Sequence, residues 1–158
     1  MSLDRNGWEQ LGWNSEEKLL IYGIGNVGRQ DDGLGIRLVE ILEGASLPSS
    51  VTLESNYQLN IEDALLISDY DVVLFVDASM EQSDLESFSI RGVYPSAHAS
   101  FSTHEMSIEG VLALCEELYN KKPRTFLLAL KGYEWGISEE MSQGARENLI
   151  HAARMFDA

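Results

Sequence analysis

The chain has 158 residues, 44% hydrophobic and 23% charged, which fits one domain with a single sizeable core and excludes disorder as its main state. Eleven basic against 26 acidic residues give a formal charge of −15; nucleic acid is then a poor partner, because phosphate binding relies on Lys and Arg. One cysteine, Cys115, excludes an internal disulfide, and no apolar run approaches the roughly 18 residues of a membrane helix. Beyond Met1 and Leu3, the first 17 residues are polar apart from Trp8, Leu11 and Trp13. They are expected to form a loosely attached, flexible arm ahead of one α/β domain spanning 18–158. They also lack the apolar core of a signal peptide, so a reducing, cytoplasmic compartment is expected. Leu19 to Tyr22 reads as a short buried strand. Leu34, Leu38, Ile41 and Leu42 then recur at helical spacing and stop at Gly44. Val51 to Leu53 is a second strand, Leu59 to Ile67 a short helix, and Val72 to Val76 a third strand followed by Asp77.

After Asp77 the pattern changes. Leu85 to Val93 alternates loosely, as an antiparallel or edge strand does. Pro95 to Thr103 is a loop of small and polar residues. Ile108, Val111, Leu112, Cys115, Leu118 and Tyr119 make one apolar helical face, closed by Lys121, Lys122 and Pro123. Thr125 to Leu130 is a fifth strand, and Ala145, Leu149, Ala152, Ala153 and Phe156 line a last helix. No internal repeat or low-complexity segment interrupts this order. It predicts a three-layer α/β fold around one mostly parallel sheet. Such sheets bind ligands at the carboxyl ends of strands where the strand order reverses. If strand 1 lies between strands 2 and 3, that crevice is lined by the loops carrying Asp31, Asp32 and Asp77.

Gly23-Ile24-Gly25-Asn26-Val27-Gly28 matches GxGxxG directly after a strand, the pattern of a dinucleotide site. Three features oppose that reading. The helical period begins only at Leu34, so helix amides do not follow the third glycine. Asp31 and Asp32 would repel a pyrophosphate. The nearest strand-end acid, Glu54, falls beyond the usual ribose-binding position. The plainer reading is a tight turn that needs glycine, and no nucleotide cofactor is expected.

Asp32 stands at a helix start, where capping is the ordinary role, but two adjacent carboxylates cannot both cap. Asp77 ends a buried strand, either as a loop cap or as a site residue. Ser102 to Glu105 fits a capping box, which would put His104 in a first helical turn; a metal ligand or general base is the other role for that imidazole. The HExxH motif is absent, since position 108 is Ile. His98 is a weaker candidate, and His151 is expected to be solvated. GxSxG is missing, and Cys115 falls on an apolar face, so an acyl-enzyme has no support. Two carboxylates and one His suit a borderline divalent cation such as Zn²⁺ or Ni²⁺.

Taken together, these segments resemble the nickel–iron hydrogenase maturation endopeptidases. The resemblance rests on Gly23 to Arg37, on Val76-Asp77-Ala78, and on Thr103-His104 before a leucine-rich helix. Leu118-Tyr119 followed by Pro123, and Met141 to Leu149, complete it. It implies a three-layer α/β/α sandwich with a five-strand mixed sheet of order 2-1-3-5-4, strand 4 antiparallel. It implies a protease that removes a C-terminal extension from the hydrogenase large-subunit precursor once nickel has been inserted. It further implies that Asp32, Asp77 and His104 form the catalytic, metal-recognition site, with nickel carried by the precursor. Asn26 and Arg37 are candidates for positioning loop or substrate, and Asp31 shares with Asp32 the candidacy for general base. The sequence departs from the family in having Asp at 32 where some members have Glu. Glu54 to Asn60 replaces a glycine-rich segment, and Gly132 to Ile137 is only roughly similar. The alternatives are a non-proteolytic α/β ligand- or nucleotide-binding module and a processing protease for another metalloprotein precursor. Neither nucleic acid nor membrane is an expected partner.

Overall fold

The computed structural model describes residues 6–80, 87–96 and 106–158. Its elements in chain order are α1 (Gly7–Gln10), β1 (Leu19–Ile24), a 3₁₀ turn (Gln30–Gly33), α2 (Leu34–Glu43), β2 (Val51–Asn56), α3 (Asp63–Ile67) and β3 (Val72–Ser79). They continue with β4 (Phe88–Val93), α4 (Ile108–Tyr119), β5 (Arg124–Lys131) and α5 (Gln143–Arg154). The strands form one sheet of order β2-β1-β3-β5-β4. All pairs are parallel except β4 with β5, which is antiparallel. The order and the single reversed strand match the expectation. The change of pattern after Asp77 thus marks an edge strand that runs antiparallel to its neighbour β5.

Successive strand residues point to opposite faces, and the core divides accordingly. Leu19, Ile21, Val72, Leu74 and Val76 join α2, α5 and the N-terminal segment in one buried cluster. Leu20, Tyr22, Val73 and Phe75 join α3 and α4 in the other. The run from Val72 to Val76 is unbroken and apolar because β3 is covered on both sides. Helix α2 ends at Gly44 and buries Leu34, Leu38 and Leu42, as their spacing predicts, but buries Val39 in place of Ile41, which is exposed. Helix α5 buries Ala145, Leu149, Ala152 and Ala153 and is capped by Ser142, whose hydroxyl accepts from the Ala145 amide.

Two helix starts differ from the sequence reading. Helix α3 starts at Asp63, not Leu59. The Asp63 carboxylate accepts the Asn60 amide at 2.9 Å and the Tyr22 hydroxyl at 2.9 Å, closing a turn where a first helical turn was expected. Burial, with the neighbouring Asp63, pushes the Tyr22 phenol well above its ordinary range. Helix α4 starts at Ile108, with Ser107 as its cap accepting from the Gly110 amide at 3.0 Å. It ends on Asn120, which takes the left-handed conformation at φ 54°. The apolar face predicted for α4 is buried at Val111, Leu112 and Cys115, but Leu118 is 56% exposed.

Residues 6–17 are docked, not loosely attached. Leu11 is fully buried, and the Gly7 amide donates to the Met155 carbonyl at 2.9 Å. Trp8 meets Phe156 edge-on at 4.9 Å and Trp13 at 5.2 Å. The apolar residues scattered through this polar stretch, Trp8, Leu11 and Trp13, are the ones that hold it down.

Candidate functional site

The glycine motif brings the chain off the carboxyl end of β1 and back over it. Gly23 and Gly35 lie against each other, and a Cβ on Gly35 would overlap the carbonyls of Val76 and Ile24. Two glycines are therefore what lets α2 begin directly on top of β1 and β3. Gly25 has φ 149°, and a Cβ there would overlap the Asp32 carbonyl. The Asn26 amide donates both to that carbonyl, at 3.2 Å, and to the Asp32 side-chain Oδ2, at 3.1 Å. Asn26 Oδ1 in turn accepts the Gly28 amide at 2.9 Å. Asn26 thus shapes the loop, as one of its two expected roles required, while Arg37 pairs with Glu40 at 3.4 Å on the helix surface.

Asp32 is half-buried and does not cap α2. The cap position is Gly33, with no side-chain bond to the helix. Its neighbour Asp31 is completely buried and belongs to another part of the molecule. Asp31 Oδ2 accepts the Tyr133 amide at 2.8 Å, the Glu134 amide at 2.9 Å and the Ser142 hydroxyl at 2.6 Å. Asp31 Oδ1 accepts the Ser142 amide at 2.9 Å. Burial alone would raise the Asp31 carboxyl, but the bonds from Ser142, Tyr133 and Glu134 outweigh it and hold the group below its ordinary range. A buried carboxylate engaged by four donors has no lone pair facing solvent to take a proton from water, so Asp31 is withdrawn as a general base.

Asp77 stands in β3 directly after Val76, paired in register with Ala129 of β5. Its Oδ1 accepts the Ala78 amide at 2.8 Å. Because Val76 lies under Gly35, and the 3₁₀ turn carrying Asp32 packs on β3, both acids stand at the same carboxyl end of the sheet. His104 and His98 lie outside the described residues. The helix His104 was expected to open begins four residues later, at Ile108. Among the described residues, no three His, Cys, Asp or Glu side chains gather tightly enough to hold a metal ion. His151 is exposed, as expected. Cys115 is buried, and burial pushes its thiol up, away from the thiolate.

The segment 132–142, between β5 and α5, contributes more than its sequence announced. Besides the bonds to Asp31, the Gln30 amide donates to the Ser138 carbonyl at 2.8 Å, and the Asp31 amide to the Glu134 carbonyl at 3.0 Å. The Ser138 amide donates to the Gly28 carbonyl at 3.0 Å. Arg29 reaches the Trp135 carbonyl at 3.1 Å. An open cleft of about 280 Å³ lies beside this junction, lined by Gln30, Glu134, Glu140, Ser142 and Arg146 among others. Ser142 is legible as a helix cap before an apolar period; its second bond, to a residue 111 positions away, is not.

The same fold occurs in several solved structures. The [NiFe] hydrogenase maturation protease HycI from Thermococcus kodakarensis superposes with a TM-score of 0.70 at 22% identity, over 90% of this chain and 94% of that one. The hydrogenase maturating endopeptidase HybD from E. coli gives 0.71 at 18%, over 87% and 88%. The hydrogenase 2 maturation peptidase of a Thaumarchaeota archaeon gives 0.66 at 24%, over 88% and 95%. No family model matches the sequence, and no curated protein matches it. At these identities the likeness is one of fold: the chain has the mixed α/β fold of the hydrogenase maturation proteases.

Proposed function

We propose that this protein is an endopeptidase that removes the C-terminal extension of a nickel–iron hydrogenase large-subunit precursor after nickel insertion. The observation that carries the reading is the shared five-strand topology, over nine-tenths of this chain and of the thermococcal protease, combined with Asp32 and Asp77 at the carboxyl end of its central strands. In this reading nickel arrives in the precursor. Asp32, Asp77 and His104 offer two oxygen donors and one nitrogen donor to a borderline cation whose remaining ligands belong to the substrate. Docking through the metal would set the scissile bond against these side chains, and Asp32 is the acid left to act as base.

The fate of the loop amides favours this reading over a dinucleotide module. A pyrophosphate needs free amides after the glycines. Here the amides of Gly28, Arg29, Gln30, Asp31 and Asp32 donate to Asn26 Oδ1 and to the carbonyls of Asn26, Ser138, Glu134 and Arg29 respectively. No helix of the described residues is long and apolar enough to cross a membrane. The formal charge of −15 favours a basic partner face over nucleic acid, and in this proposal the protein works in the cytoplasm on a protein substrate.

The test is incubation of the purified protein with the precursor, nickel-loaded and nickel-free, followed by mass spectrometry. Loss of the C-terminal peptide from the nickel-loaded form alone is the expected result. An intact precursor in both arms, with a melting temperature raised by NAD or FAD, would turn the assignment toward a binding module.

A further inference from the structure

We infer that Asp31 is a positioning residue: by fastening the 132–142 segment to the 3₁₀ turn, its carboxylate holds Asp32 in place for the substrate. The inference rests on the proposed role of Asp32, and it concerns what makes that carboxylate's position definite. The Asp32 side chain is half-buried, and the hydrogen bond that fixes its carboxylate is the one it accepts from the Asn26 amide. A side chain fixed by one bond is only as well placed as the turn beneath it, and a ligand shared with a substrate-bound metal must be placed to within a fraction of an ångström.

The fastening comes from the residues just before it. Gln30 adopts φ 50°, a conformation that costs a residue with a Cβ. It persists because the opposing segment grips Gln30 on both sides. Its amide donates to Ser138, its Oε1 accepts the Gly136 amide at 2.8 Å, and its Nε2 donates to the Glu140 carbonyl at 3.2 Å. Asp31 closes the junction from beneath. A Cβ on Gly132 would meet the Asp31 Cβ at 2.9 Å, so the segment lies directly on the aspartate. The Ser142 hydroxyl donates to Asp31 and accepts the Ala145 amide, which ties the junction to the first turn of α5. Helix α5 is itself packed in the core. The chain of contacts therefore runs from a rigid helix, through Ser142 and Asp31, to the residue beside Asp32.

The experiment compares Asp31→Asn, Asp32→Asn, their double variant, Ser142→Ala and Ser142→Thr. An asparagine at 31 keeps the shape but turns an NH₂ toward at least one of the four donors. Two readouts are taken on folded protein: affinity for the nickel-loaded precursor, and exchange of the Asn26 amide proton, which reports the Asp32 tether without any substrate. Asp31→Asn is expected to weaken precursor binding at least tenfold and to speed Asn26 exchange at least tenfold. The double variant should bind no more than about twofold more weakly than Asp32→Asn alone, because both act through one carboxylate. A merely structural role for Asp31 gives additive losses instead, and that result overturns the inference, as does a folded Asp31→Asn with wild-type binding or unchanged Asn26 exchange. If Asp31→Asn does not fold, Ser142→Ala removes one of the four bonds and should show the same two effects more weakly. Ser142→Thr, which keeps a hydroxyl, should restore both, and failure of that rescue counts against the inference. If the wild-type protein does not bind the precursor, the proposed function fails, while the Asn26 exchange still decides whether Asp31 holds the turn.

Discussion

The two faces of the sheet are built differently. On one, α2 and α5 are long, capped or glycine-terminated helices whose apolar sides are buried, and the N-terminal segment closes over them with Leu11, Trp8 and Trp13. On the other, α4 is as long and as well capped as α5, but α3 has five residues, and Ile61 before it, Leu65 within it and Leu118 on α4 remain more than half exposed. Asp32 is delivered from the first face, on a turn cross-linked by buried hydrogen bonds. Asp77 comes from the sheet itself. The difference teaches where this fold invests in rigidity. The face that carries the glycine motif is stitched by several side chains distant in sequence, whereas on the opposite face the apolar contacts are joined by the buried Tyr22–Asp63 bond.

The sharpest way to break this contrast is to remove a carboxylate at the carboxyl end and ask whether the fold notices. Asp32→Ala and Asp77→Ala should each lower processing of the nickel-loaded precursor by at least about 1,000-fold, about 4 kcal/mol of transition-state stabilisation. Melting temperatures should stay level or rise slightly, since two like charges at one end of the sheet repel. An Asp77→Ala protein that is folded and processes at the wild-type rate would refute the assignment. The packing side of the contrast has its own test. Phe156→Ala removes a fully buried ring that also supports Trp8, and should cost about 3–5 kcal/mol in urea denaturation. Leu118→Ala on the looser face should stay within about 0.5 kcal/mol. Equal losses at the two positions would mean that Leu118 is covered in solution.

The sequence carried the sheet because each strand announced itself twice, by an apolar run and by what ended it. Val72 to Val76 is legible as a fully buried strand, and the looser alternation before Val93 as an edge. The start of α2 at Leu34 was legible too, since glycines and aspartates fill the positions before it. What escaped were contacts between side chains and distant backbone. The pattern Asp31-Asp32 gives no sign that one acid is sealed under 132–142 and the other left half-buried, because that choice depends on amides 102 and 103 residues away. For the same reason nothing in the sequence paired Asp63 with Tyr22, 41 residues away. Scattered tryptophans in a polar segment looked like an arm, since three apolar residues carry no period. The imidazole proposed to complete the site, His104, lies outside the described residues, so its place there stays part of the proposal.

Acid should expose the Asp31 junction. Its carboxyl is held below the ordinary value in the folded protein. A group lowered in this way contributes stability that is fully present above the unfolded pKa, about 4, and is lost as pH falls through the folded value. Asp31→Asn should therefore be less stable than wild type at pH 7 by roughly 1–3 kcal/mol, the cost of a mismatched buried donor. That gap should narrow steadily below pH 4. Denaturation midpoints taken between pH 7 and pH 2 would check it; parallel curves for the two proteins would mean the carboxylate contributes no charge-dependent stability.

The smallest expected effect lies at the opposite end of the sheet, where the N-terminal segment meets β5. Arg124 Nη1 pairs with Glu17 Oε2 at 2.7 Å, and Arg124 Nη2 donates to Glu17 Oε1 at 3.1 Å and to the Gly12 carbonyl at 2.9 Å. The hydrogen bond from Arg124 holds the Glu17 carboxyl below its ordinary range, so this pair, too, is lost as pH falls through the folded value. Both side chains are wetted, and an exposed pair is screened by salt. Glu17→Gln should therefore lower the melting temperature only slightly at low ionic strength, and the difference should disappear in concentrated salt. Arg124→Ala should lower it further and keep part of the loss in salt, because it also removes the bond to the Gly12 carbonyl, a neutral acceptor that salt does not screen. If the two variants behave alike at every salt concentration, the bond to the Gly12 carbonyl adds nothing to what the Glu17 pair contributes.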